Sequence, residues 1–165
     1  MKSLSWRLSP PIPWIGLLAI VLLFDSSAES FAQTEMAAPP EFLVTTPSGY
    51  DFDDTVDLLK GAIEEENLMV VHEIDAQRML RMVEVQVGGM KQILFFHPRY
   101  MKQILEANRN GAIVPPLKIA VMEMKGKVMV QYPKPSYLFE TYDGLGDIAA
   151  DLEALTERIV GNVKK

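Results

Sequence analysis

The 165 residues contain no cysteine. That absence excludes disulfides, thiol catalysis, iron–sulfur clusters, cysteine-bearing zinc sites and covalent c-type haem attachment. Histidine is nearly as scarce, with only His72 and His97, and no Ser-His-Asp grouping can be argued from two histidines outside any recognised nucleophile context. Basic charge is also in deficit. The formal net charge is -6, and no Lys/Arg stripe is present to offset phosphates, which argues against a nucleic-acid binder and against attraction to an anionic membrane. The only clustered cations, Lys164 and Lys165, sit at the end of the last helical segment. There is no internal repeat at solenoid period. Gly88-Gly89 and Gly144-Leu145-Gly146 lack the spacing and setting of a phosphate loop and read as turns.

What is present begins with an N-terminal segment in three parts. Lys2 and Arg7 precede an apolar run from Trp14 to Phe24, and Ser30-Phe31-Ala32 supplies small residues at a cleavage site. This is the pattern of a secretory signal peptide over residues 1–32, with cleavage after Ala32. The apolar run is shorter than the ~20 residues that span a bilayer. The expectation is a periplasmic or secreted protein with no membrane anchor after cleavage. A flexible leader over residues 33–40 then enters a single domain over residues 41–165.

Within that domain, Glu41–Thr46 reads as a strand stopped by Pro47-Ser48-Gly49. Asp51 with Asp54 three residues on marks a helix start. Phe52, Val56, Leu59 and Ile63 recur at helical spacing, and Asn67 is a left-handed stop. Leu68–Ile74 has the composition of a buried strand, Asp75 caps a short helix through Met82, and Val83–Val87 is strand-like. Gln92–Phe96 is a strand running straight into a helix at His97-Pro98, with Met101, Ile104 and Leu105 as its buried stripe. A short helix is expected around Tyr137–Tyr142. Ile148, Leu152, Leu155, Ile159 and Val163 keep helical spacing in the last element.

Val114–Tyr132 carries the strongest pattern, a β-hairpin about Lys125-Gly126. A two-residue turn places Val121 opposite Val130 and gathers Leu117, Ile119, Val121, Val128, Val130 and Tyr132 on one apolar face. A three-residue turn with a glycine bulge places Glu123 opposite Lys127 instead. Face matching favours the first, and the positive φ demanded of Lys125 favours the second. The whole pattern predicts a two-layer α+β domain, its helices packed on one face of a mixed sheet that ends in a β-hairpin.

Phe52-Asp53-Asp54-Thr55-Val56 with Leu59, Glu73-Ile74-Asp75, Phe96 with Pro98, and Pro116-Leu117-Lys118-Ile119 followed by Gly126-Lys127-Val128 and Tyr132 together resemble the domain of unknown function 302 family. The resemblance covers roughly residues 41–142. It implies a small α+β domain, often a dimer, and no established biochemical role. His97 stands where the family commonly has a small or polar residue before the proline, and Ala76 where many members have histidine.

The candidate ligand-binding residues are His97, Arg99, Tyr100 and Lys102. A strand feeding a helix aims free N–H groups outward, and the two cations would hold a small anion or carboxylate. The competing reading makes His97 a helix cap and Arg99 a solvated charge. Asp75, with Glu73 nearby, reads either as a helix cap or as an acid acting with His97 in an accessory enzyme or metal-binding redox protein. The methionines, with His72 and His97, suit Cu(I) by ligand softness, and core filling explains them equally. The sequence assigns no catalytic residue, metal ligand or cofactor. The expected function is an exported binding module, homodimeric, that takes a small anionic ligand or a periplasmic partner protein.

Overall fold

A computed structural model describes residues 38–164, and the signal-peptide and leader expectations for residues 1–37 lie outside them. In chain order the elements are β1 (Leu43–Pro47), α1 (Phe52–Glu65), β2 (Met69–Asp75), α2 (Ala76–Arg81), β3 (Met90–Phe96), α3 (Pro98–Ala107), a 3-10 turn (Arg109–Ile113), β4 (Leu117–Met124), β5 (Lys127–Pro133), α4 (Pro135–Phe139) and α5 (Gly146–Gly161). The five strands form one sheet in the order β1-β5-β4-β3-β2. Helices α1, α3 and α5 bury their apolar sides against one face of it, as the two-layer α+β reading expects.

Every neighbouring pair is antiparallel. The sheet is therefore antiparallel throughout rather than mixed. The β1–α1–β2 succession looks like a parallel crossover unit in sequence, but α1 carries the chain from one edge of the sheet to the other, with three strands between.

Helix α1 starts as its sequence demands: the Asp51 side chain accepts the Asp54 N–H at 2.9 Å, and Asn67 stops the segment at φ 54°. Its buried side is Val56, Leu59, Ala62 and Ile63. In the hairpin Val121 lies opposite Val130 and Met124 opposite Lys127, so Lys125 and Gly126 form the turn alone, both at positive φ. Face matching outweighs the conformational cost at Lys125, because a slip would expose the six-residue apolar face. Leu117, Ile119, Val121, Val128, Val130 and Tyr132 are all buried on the helix side.

Three local expectations fail. β2 is not a buried strand but an edge, bulged between Val70 and His72, with Met69 and Val71 exposed. Residues 83–87 form no strand; Val83 is exposed, Glu84 sits at φ 62°, and the Val85 N–H returns to the Leu80 carbonyl. Leu105 is exposed, and the buried side of α3 is Tyr100 and Ile104.

Gly88 and Gly89 are more than turn formers. A Cβ on Gly88 would lie 2.7 Å from the Glu123 carbonyl oxygen, and one on Gly89 would lie 2.6 Å from the Phe52 ring. The Glu123 N–H donates to the Gly89 carbonyl at 2.7 Å, seaming this loop to β4. Only glycine permits that approach.

The sheet face away from the helices carries Thr45, Gln131, Ala120, Gln92 and Ile74 in one cross-strand row. In the next row toward the hairpin turn, Met90 lies opposite Met122 and Met122 opposite Met129. All three methionines are half-buried, and none belongs to the core or its packed margin. Among the described residues, no helix is long and apolar enough to cross a membrane.

Candidate functional site

The start of α3 is built by the β3 exit. His97 keeps extended backbone angles (φ -141°, ψ 137°), which sets its ring over the first turn, where Nδ1 accepts the Arg99 N–H at 3.1 Å. The Tyr100 N–H returns to the His97 carbonyl at 3.0 Å, and Pro98 has no N–H. The donors that an anion would use at this helix end are engaged within the turn itself.

Arg99 and Tyr100 belong to a wider network. The Arg99 guanidinium lies 4.9 Å from the centre of the Tyr100 ring, and Nη2 donates to the Tyr100 hydroxyl at 3.4 Å. That hydroxyl donates to Asp151 Oδ2 on α5 at 2.6 Å. Burial raises the Tyr100 pKa, the bond to Asp151 raises it further, and Arg99 opposes both. Tyr100 is thus held as a neutral phenol, suited to fixing α3 against α5 rather than to proton abstraction. On the same helix Arg158 forms a two-pronged pair with Glu66, the residue that closes α1, at 2.7 and 3.0 Å. The Arg158 hydrogen bond holds the Glu66 carboxyl below its usual range.

Of the four residues expected to bind ligand, His97, Arg99 and Tyr100 come together, with His97 and Tyr100 engaged structurally. Lys102 stands exposed on α3, 3.8 Å from Glu106. Asp151 and Arg158 escape sequence reasoning because they reach the site only through tertiary packing. Their spacing of seven on α5, which puts them on one helix side, is the one signal that could have suggested a pair.

Asp75 accepts the Arg78 N–H at 2.7 Å and caps α2. It pairs with Lys91 in the strand ladder, whereas His97 follows Phe96 at the other end of β3. At about 3.4 Å per residue that separation is roughly 20 Å, so the two do not share a cleft. Glu73 is held by Lys91 at 3.0 Å and Lys60 at 3.2 Å, and the Lys91 hydrogen bond chiefly lowers its pKa. Among the described residues, no three His, Asp or Glu side chains are grouped to hold a metal ion.

Two surface features stand out beside these. Helix α2 has no buried residue, and it leads into a loop closed by the Gln77 side-chain amide on the Val87 carbonyl. Met79, Met82 and Val83 on this arm are 59%, 80% and 67% exposed, flanked by exposed Arg78 and Arg81. The second feature is a groove of about 540 Å³ along α1, lined by Leu58, Gly61 and Ala62 together with Asp54, Asp57 and Glu65. No basic side chain lines it.

The family model described as "Domain of unknown function DUF302" matches residues 44–163. Among solved structures, the chain is similar to the crystal structure of an uncharacterized conserved DUF302 protein from Bacillus stearothermophilus, with a TM-score of 0.71 and 20% identity. That match covers 76% of this chain and 100% of the other. No curated protein matches.

Proposed function

The chain belongs to the DUF302 family, whose domain has no known function, and from that premise we propose an exported, non-catalytic binding module that self-associates through its α2 arm. The observation that carries this reading is the complementarity of two surface features. The arm offers exposed Met79, Met82 and Val83 beside Arg78 and Arg81, and the α1 groove is lined by Leu58, Gly61 and Ala62 together with three carboxylates. The arm of one copy fits the groove of a second: its apolar side chains pack on Leu58, Gly61 and Ala62 while Arg78 and Arg81 meet Asp54, Asp57 and Glu65. Mutual exchange closes a two-fold dimer. Export rests on the charged, apolar and small-residue succession of residues 1–32.

Charge reversal tests the reading by sedimentation of the full chain across concentration. Arg78→Glu with Arg81→Glu, and separately Asp54→Lys with Asp57→Lys, should each weaken the dimer about tenfold or more. Combining the two pairs should restore it. A wild type that stays monomeric, or a combined variant no better than either parent, would sink the proposal. Circular dichroism confirms that each variant folds.

A second reading keeps a small anion at His97, Arg99, Tyr100 and Lys102. Its support is the exposed Arg99 side chain, whose guanidinium has five N–H donors and spends one on the Tyr100 hydroxyl. Anionic metabolites should then raise the melting temperature, and Arg99→Ala should abolish the rise. No response to any anion would remove this reading.

A further inference from the structure

The face of the sheet opposite the helices brings three thioethers together. Met90, Met122 and Met129 come from three adjacent strands and occupy one uninterrupted cross-strand row. Side chains directly opposite in an antiparallel pair have Cβ atoms about 4.5–5.5 Å apart. A methionine sulfur is carried two bonds beyond Cβ on freely rotating carbons. The outer two can therefore lean over the middle strand and meet the sulfur of Met122. Met124 lies two residues along the same strand face and supplies a fourth thioether within reach.

The scaffold under this row is fixed. The two-residue turn and the buried opposite face set the β4–β5 register, so the pairing of Met122 with Met129 does not slip. The surroundings are selective as well. On this face the adjoining row on one side holds Gln92, Ala120 and Gln131, the row on the other side holds Met124 opposite Lys127, and Pro47 lies opposite Met129, with no carboxylate or imidazole among them. Hard divalent ions need oxygen or imidazole ligands, whereas neutral thioethers suit a soft monovalent ion.

We propose that Met90, Met122 and Met129 form a three-sulfur site for Cu(I). Binding needs no redox step and no proton release, since a thioether is neutral and unprotonated. The row draws none of its three ligands from the α2 arm or the α1 groove, and the proposal does not depend on whether the protein self-associates.

The test is an anaerobic titration of the full chain with Cu(I) against a chromogenic Cu(I) chelator, followed by methionine-methyl NMR. The expected result is one ion per chain, with the methyl resonances of Met90, Met122 and Met129 shifting together. Met122→Leu should weaken binding by roughly tenfold or more while leaving the melting curve in place, because Leu fills the same space without a ligand atom. Met90→Leu and Met129→Leu provide independent checks should Met122→Leu disturb the fold. His72→Gln with His97→Gln should leave binding intact. Equal competition by wild type and the leucine variants, loss of binding in the histidine variant, or shifts confined to Met79 and Met82 on the arm would each overturn the proposal.

Discussion

Single residues decide much of this structure, and they divide by how far the sequence exposes them. Lys125 is the sharpest case. It sits at φ 51° in a turn that favours asparagine or glycine, because the two strand faces must match. The conflict between turn chemistry and face matching was visible in the sequence, and only the packed core decides it. Lys125→Asn should stabilise the protein by about 0.5–1 kcal/mol, since Asn tolerates the left-handed conformation better than Lys. Chemical denaturation would read this as a higher midpoint at constant slope. An unchanged or lower midpoint would mean that the turn carries no conformational cost. Gly88 and Gly89 were legible as glycines and not as close-approach sites. Phe52 and Glu123, which meet them, are distant in sequence.

At the scale of elements, β2 shows why composition misleads. Its valines and isoleucine read as interior, yet it is an edge, and the bulge at Val71 interrupts the row of unpaired backbone groups that an edge presents. What fastens this edge on the helix side is Glu73, gripped by Lys60 from α1 and Lys91 from β3. The carboxyl is lowered in the fold, chiefly by the Lys91 hydrogen bond. A depressed folded pKa gives stability that is present above the unfolded value, near 4.5, and lost as pH falls through the folded one. Glu73→Gln should cost about 0.5–1 kcal/mol at neutral pH, discounted for partial exposure. The gap between wild type and variant should close on acidification below that range. A gap constant from pH 7 to 3 would assign the loss to packing instead. Helix caps, by contrast, were readable in advance: Asp51, Asp75 and His97 all accept the N–H groups their positions suggested. A cap is a local event within a few residues, and that is why sequence reveals it.

For the whole molecule, two-layer α+β architecture followed from the pattern of elements, but strand order did not. Nothing local distinguishes a crossover to the neighbouring strand from one that spans the sheet. The α3 site shows the same limit. His97, Arg99 and Tyr100 were legible as a strand-to-helix junction, whereas their ties to Asp151 depend on α5 arriving from another part of the chain. The two outer strands, β1 and β2, also bear on timing. β1 has a single partner, β5, and the Gln131 side chain bonds to Thr45 across 86 positions. Just beyond β1, the Gly49 N–H and the Ser48 hydroxyl both donate to the Val163 carbonyl, the latter across 115 positions. Closing loops of that length costs entropy before any contact repays it. A chain emerging from the ribosome can therefore assemble β2, β3 and β4 early, while its first strand waits unmatched until the hairpin is complete. Its first turn stays unfastened until α5 has emerged. The domain's opening segment is among the last parts to be locked in place.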